Sequence, residues 1–184
     1  MNNGLISRML RAAKLDVKLY EEVEADQRAT AQAMLVVVLS SLAAGVGSMG
    51  MGSMGAGAGF GPAAFFFGTL AALVGWVVWS LVTYLIGTRL LPEAGTKANV
   101  GELLRTTGFS AAPGIIRILG VIPGLWLIST GVALVWSLIA MVIAVRQALD
   151  YQTTSRAVAV CLLGWILSMM LAWILSGPPL YGPV

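Results

Sequence analysis

Five long apolar runs, at residues 29–46, 65–86, 103–122, 125–145 and 157–175, set the terms on which this chain can fold. Hydrocarbon offers no water to backbone amides and carbonyls, so an apolar run of this length crosses it as a helix that satisfies its own hydrogen bonds. Hydrophobic residues make up 58% of the chain and charged residues 10%, against about 25% charge in an ordinary soluble domain. The expected fold is all-α: a polytopic membrane helical bundle with five transmembrane helices.

The run at 103–122, LLRTTGFSAAPGIIRILGVI, stands apart because Arg117 lies inside its apolar part. A charge at that depth costs about 2.5 kcal/mol or more, so Arg117 must find a carboxylate, free carbonyls, water or a headgroup. Pro113, four residues earlier, removes a backbone donor and clashes with the turn before it, which predicts a kink with charge and kink on one helical face. Residues 109–122 reach only about 21 Å as an α-helix, short of a hydrocarbon core of about 30 Å. This predicts a central or broken helix packed among longer neighbours.

Residues 1–28 precede the first run and read as a separate unit. At helical spacing Leu5, Ile6, Met9, Leu10, Ala13, Val17 and Tyr20 share one side, and Arg8, Arg11, Lys14 and Lys18 the other. That pattern predicts an N-terminal amphipathic helix in the interface, its four cations on anionic headgroups at about 1 kcal/mol each. Glu21, Glu22, Glu24 and Asp26 follow, half of the eight carboxylates, and form an expected docking or ion-pairing surface with Arg105 as a partner. The expected organisation is 1–28 as a cytoplasmic helix and acidic segment, 29–176 as the five-span membrane domain, and 177–184 as a Pro/Gly tail.

The chain has no histidine and one cysteine, Cys161, which removes disulfide frameworks, Cys/His metal sites and histidine catalysis, so no cofactor is expected. Its net charge of +3 sits near membrane edges, which favours lipid headgroups over nucleic acid as anionic partner. Gly50-Met51-Gly52-Ser53-Met54-Gly55 repeats the dinucleotide-binding spacing, but it has neither the preceding strand nor the following acidic residue that chemistry requires. Lysines and arginines number five before the first run, three between the second run and the apolar part of the third at 109–122, two between the fourth and fifth, and none in the other connections or the tail. The positive-inside rule therefore expects a cytoplasmic N-terminus and an extracytoplasmic C-terminus.

Several stretches, taken in order, resemble the Yip1 family and its short bacterial members. They are Tyr20-Glu21-Glu22-Val23-Glu24-Ala25-Asp26 with Gln32-Ala33, then Leu103-Leu104-Arg105-Thr106-Thr107-Gly108-Phe109-Ser110-Ala111-Ala112-Pro113, and Val145-Arg146-Gln147-Ala148-Leu149-Asp150 with Ser155-Arg156-Ala157. Gly108-Phe109-Ser110 with Pro113 resembles the family's Gly-Tyr motif in the third span, with phenylalanine in the aromatic position. The resemblance implies a non-enzymatic integral membrane protein, whose eukaryotic relatives act in vesicle transport and contact Rab GTPases.

Two functions follow as expectations. The first is a membrane scaffold or adaptor, a homo-oligomer that organises anionic lipid or a cytoplasmic protein partner at the inner face. The alternative is an oligomeric channel or transporter for an anion or small solute, with Arg117, Ser110 and the Pro113 break lining the path. No carboxylate falls within a span, which argues against a carboxylate proton relay and against an intramembrane enzyme.

Overall fold

The computed structural model describes residues 4–52 and 61–176. The expected tail at 177–184 and residues 53–60, including the second half of the stretch with dinucleotide-binding spacing, lie outside the described residues. Among the described residues every regular element is helical: α1 (Leu5–Ala13), α2 (Val17–Ala25), α3 (Ala29–Gly52), α4 (Pro62–Leu85) running into a π-helical turn (Ile86–Leu90), α5 (Val100–Phe109), a 3-10 segment (Ala112–Val121), α6 (Trp126–Ala148) and α7 (Thr154–Ser176). Among the described residues three helices are long and apolar enough to cross a membrane, Ala29–Gly50, Pro62–Leu90 and Trp126–Ala148, and Thr154–Met170 is a shorter apolar helix. Of the five expected spans, three are thus long apolar helices among the described residues. The third run is divided between α5 and the 3-10 segment. Phe66, Phe67, Leu70, Val74, Val77 and Leu81 of α4 are all exposed, a helix surface suited to lipid and not to water.

Local chemistry explains the helix ends. Asn99 accepts from the Glu102 amide at 3.0 Å while Glu102 accepts from the Asn99 amide at 2.8 Å, the capping box that starts α5. Both α1 and α6 stop in a Schellman turn: Asp16 N donates to Arg11 O and Tyr151 N to Arg146 O. The left-handed residues of those turns are Leu15 (φ 61°) and Asp150 (φ 54°), positions where glycine is the usual solution.

The first run does not end at residue 46 as expected. α3 continues through Gly47 and Gly50 because both serve as contact points: a methyl group on Gly47 would overlap the Arg117 carbonyl oxygen, and one on Gly50 the Gly120 carbonyl oxygen. Small residues let two backbones meet this closely. The 3-10 segment lies against α3 on this seam and against α6 on its other side. Ten residues is long for a 3-10 helix, whose hydrogen bonds are poorer than those of an α-helix; here the neighbouring helices hold it. At three residues per turn, positions 113 and 117 point about 120° apart. The expected shared face of Pro113 and Arg117 is therefore absent, and Arg117 aligns with Gly114 and Gly120 instead. At the junction with α5, the Ser40 hydroxyl donates to the Ala111 carbonyl at 2.7 Å.

Two apolar cores result. One joins Ala12, Tyr20, Val23, Ala33, Val36, Phe109 and Ala144 from five helices. The other gathers Ile86, Leu103, Val145, Leu149, Tyr151 and Val160. In the second, the Tyr151 hydroxyl donates to the Leu91 carbonyl at 2.6 Å, with the Gly87 carbonyl at 3.0 Å. These carbonyls belong to the π-helical turn and its end. Tyr151→Phe removes the donor and leaves the buried Gly87 carbonyl and the part-buried Leu91 carbonyl without it, so it is expected to cost about 1–2 kcal/mol, seen as a lower Tm of the purified protein with unchanged helix content.

Candidate docking site at the N-terminal helix pair

α1 and α2 fold back onto the beginning of α3, and buried charge decides how they sit. Arg8 is 1% exposed. Its Nη2 donates to Glu22 Oε1 and Asp26 Oδ2, each at 2.9 Å, its Nε to Glu22 Oε1 at 3.1 Å and its Nη1 to Gln32 Oε1 at 3.0 Å. Arg11 reaches Asp16 at 2.8 Å and the second Glu22 oxygen at 2.6 Å. The hydrogen bond from Arg11 holds Asp16 below the usual carboxylate range, and that from Arg8 does the same for Asp26. Burial opposes ionisation of Glu22, but the bonds from Arg11 and Arg8 outweigh it, so Glu22 too stays below its ordinary value.

Of the four cations expected at headgroups, two are turned inward. Lys14 and Lys18 are exposed, whereas Arg8 and Arg11 turn to carboxylates that α2 holds at fixed distance. Turning the arginines inward rolls apolar side chains outward: Ile6 is 74% and Leu10 59% exposed. Ala12 closes the inner side of α1, and the Trp136 indole donates to the Ala13 carbonyl at 2.8 Å, satisfying one of the last acceptors of the helix. The buried Tyr20 hydroxyl has no partner among the described residues, and burial raises its pKa.

Arg105 pairs with backbone and not with the expected carboxylates. It is 6% exposed; its Nε donates to Val23 O at 2.9 Å and to Glu24 O at 3.1 Å, and its Nη2 to Glu24 O. A cation on the last carbonyls of α2 suits the negative end of that helix. Glu21 is exposed and Glu24 half-buried. Burial first, then Asp150, Glu102 and Glu21 acting against Arg105, push the Glu24 carboxyl up to about 7. Among the described residues, no three carboxylate or thiol groups converge as a metal site.

The third-run residues lie elsewhere. Gly108 packs on Ala33, whose Cβ a methyl group at 108 would meet at 2.8 Å. Phe109 is wholly buried, Ser110 donates to Thr107 O at 2.6 Å, and Pro113 is buried. Arg117 is half-buried, its guanidinium beside Gly114, and its side chain makes no hydrogen bond or ion pair with any described residue. The backbone contact of its segment with α3 gives a conducting path at that seam no support.

Residues 17–176 match the family model described as the Yip1 domain. The chain belongs to the Yip1 family. The Yip1 match opens at Val17, the first residue of α2, so α2 falls inside the Yip1 domain and α1 precedes it. α1 is thus docked onto the Yip1 domain by Arg8 on Glu22, Asp26 and Gln32 and by Trp136 of α6. Together with its apolar helices, the match makes this a multi-pass membrane protein. No curated protein and no solved structure matches the chain.

Sequence reasoning missed Gln32 and Trp136 as members of the site. Gln32 had a readable signal, a polar side chain in the first turn of an apolar helix. Trp136 had none, since a mid-run tryptophan reads equally as packing.

Proposed function

We propose that this Yip1-family protein is a non-enzymatic membrane scaffold whose N-terminal helix pair is its working face. In this reading the chain crosses the bacterial cytoplasmic membrane five times with its N-terminus cytoplasmic and its tail outside, and it works as a homo-oligomer. The carrying observation is the roll of α1: Arg8 and Arg11 are tied inward, and Ile6 and Leu10 stand outward beside Lys14 and Lys18. A surface apolar along one row and basic at its end suits the acyl and headgroup layers of an anionic leaflet. A cytoplasmic protein partner would meet the neighbouring carboxylate Glu21, which is exposed.

The test uses full-length protein in vesicles containing one-third anionic lipid, with Cys161→Ala and one labelled cysteine at position 10 or 18. An environment-sensitive fluorophore at 10 is expected to emit as if in hydrocarbon and to resist an aqueous quencher several-fold better than one at 18. Equal quenching at the two positions would end the reading of α1 as a lipid-facing helix. Lys14→Ala with Lys18→Ala is expected to lower the anionic lipid that copurifies with the protein.

A further inference from the structure

α6 and α7 pack as a pair after the turn at residues 149–153, and a cleft of about 440 Å³ opens between them. Its walls are α6 from Leu134 to Val142 and α7 from Val158 to Trp165, and Trp79 of α4 completes the lining. Trp79 also reaches the buried side of α7: a methyl group on Gly164 would stand 3.2 Å from its Cη2. Glycine at 164 therefore lets one indole bridge α4 to α7. Among the described residues no charged, amide or hydroxyl side chain lines the cleft.

Three features of the cleft select its occupant. Its rim is continuous with the surface that faces lipid, since Leu134, Leu138, Leu162 and Trp165 are each more than half exposed, as Phe66 and Val74 of α4 are. Residues 134 to 142 rise about 12 Å along α6, which fits inside one leaflet of a hydrocarbon core about 30 Å thick. The volume is about three times that of an apolar cavity of about 150 Å³ that takes up benzene. Spread over that rise, it leaves a section roughly 6 Å wide. A helix of a second copy, about 10 Å across with its side chains, is too wide to enter. A single hydrocarbon chain is not.

We propose that this cleft binds one acyl chain of a membrane phospholipid, lying parallel to α6 and α7 and held as part of the fold. The chain supplies the close contact that the two helices do not give each other there, and each missing contact is a loss of dispersion energy. This site is on different helices from the N-terminal pair, and it stands whether or not α1 meets lipid.

Photolabelling of the full chain tests the site. The protein is loaded in vesicles of phosphatidylethanolamine and phosphatidylglycerol, a small fraction of the latter carrying a mid-chain diazirine. It is then extracted, washed in detergent and photolysed, and the labelled residues are mapped by mass spectrometry. Residues 134–142 and 158–165 are expected to carry several-fold more label than the open α4 surface at Phe66, Leu70 and Val74. Cys161→Trp and Val142→Phe, which fill the cleft from opposite walls, are each expected to reduce that label to the α4 level with helix content unchanged. If one of the two fails to fold, the other makes the same comparison. Label no heavier in the cleft than on α4 would overturn the proposal, because it would show only the ordinary lipid layer around the bundle. Wild-type labelling in a folded filled variant would also overturn it. So would rapid joining of two copies through Cys161, the one cysteine of the chain, by a short thiol crosslinker in the vesicles, since that would put a second copy at the cleft.

Discussion

Arg8→Met is expected to destabilise the folded protein by about 3 kcal/mol, because it strands Asp26 and Gln32 and leaves Glu22 to Arg11 alone. Removing one partner of a fully buried ion pair costs about 3–5 kcal/mol. Here the side chains of Glu22 and Asp26 retain 19% and 30% exposure, which places the cost at the lower end. Adding Asp26→Asn to Arg8→Met is expected to restore about half of the loss, since much of the penalty lies in the uncompensated Asp26 charge and not in missing attraction. Unfolding of the purified protein by denaturing detergent, followed by tryptophan fluorescence, measures both. An Arg8→Met midpoint equal to wild type would mean that Ala12 packing alone holds α1. The carboxyls of Asp16, Glu22 and Asp26 are held low, so the stability they add is present above their ordinary range and fades as pH falls through it, below about 4.

Gly47→Leu is expected to abolish assembly of the bundle, and Gly47→Ala to destabilise it by about 3 kcal/mol, at the top of the usual range for overpacking. The position faces backbone: the Arg117 carbonyl occupies the space a Cβ would need, and a carbonyl in a helix flanked on two sides cannot swing away as a side chain would. Gly68→Ala in α4 is the control, since nothing lies within 4 Å of the added methyl group; it is expected to be neutral or to stabilise by up to about 1 kcal/mol through helix propensity. Size-exclusion profiles and detergent unfolding of the three variants read the contrast. A Gly47→Leu protein that purifies as wild type would show that α3 and the 3-10 segment are not locked at this seam.

Much of the architecture was legible because it depends on chemistry local in the chain. The capping box at Asn99 and Glu102 and the turn at Pro123-Gly124, where Gly124 takes φ 85°, each need only neighbours within a few residues. The apolar runs likewise announce helices wherever they come to rest. The candidate site was legible only as a list of charges. Glu22 and Asp26 were named as pairing groups, but their partner turned out to be Arg8, because a helix wheel drawn for α1 alone has no way to know that α2 returns to cover its basic side.

The amino-acid sequence by itself determined that this is a helical membrane protein of the Yip1 family, since both backbone satisfaction in hydrocarbon and the order of its motifs are written along one dimension. Only the tertiary structure decided that residues 112–121 wind as a 3-10 segment, that α3 runs on through its glycines, and that Arg8 turns inward onto Glu22, Asp26 and Gln32. Each of these depends on how far apart two pieces of backbone come to lie, and that distance is set by close packing between segments tens of residues apart.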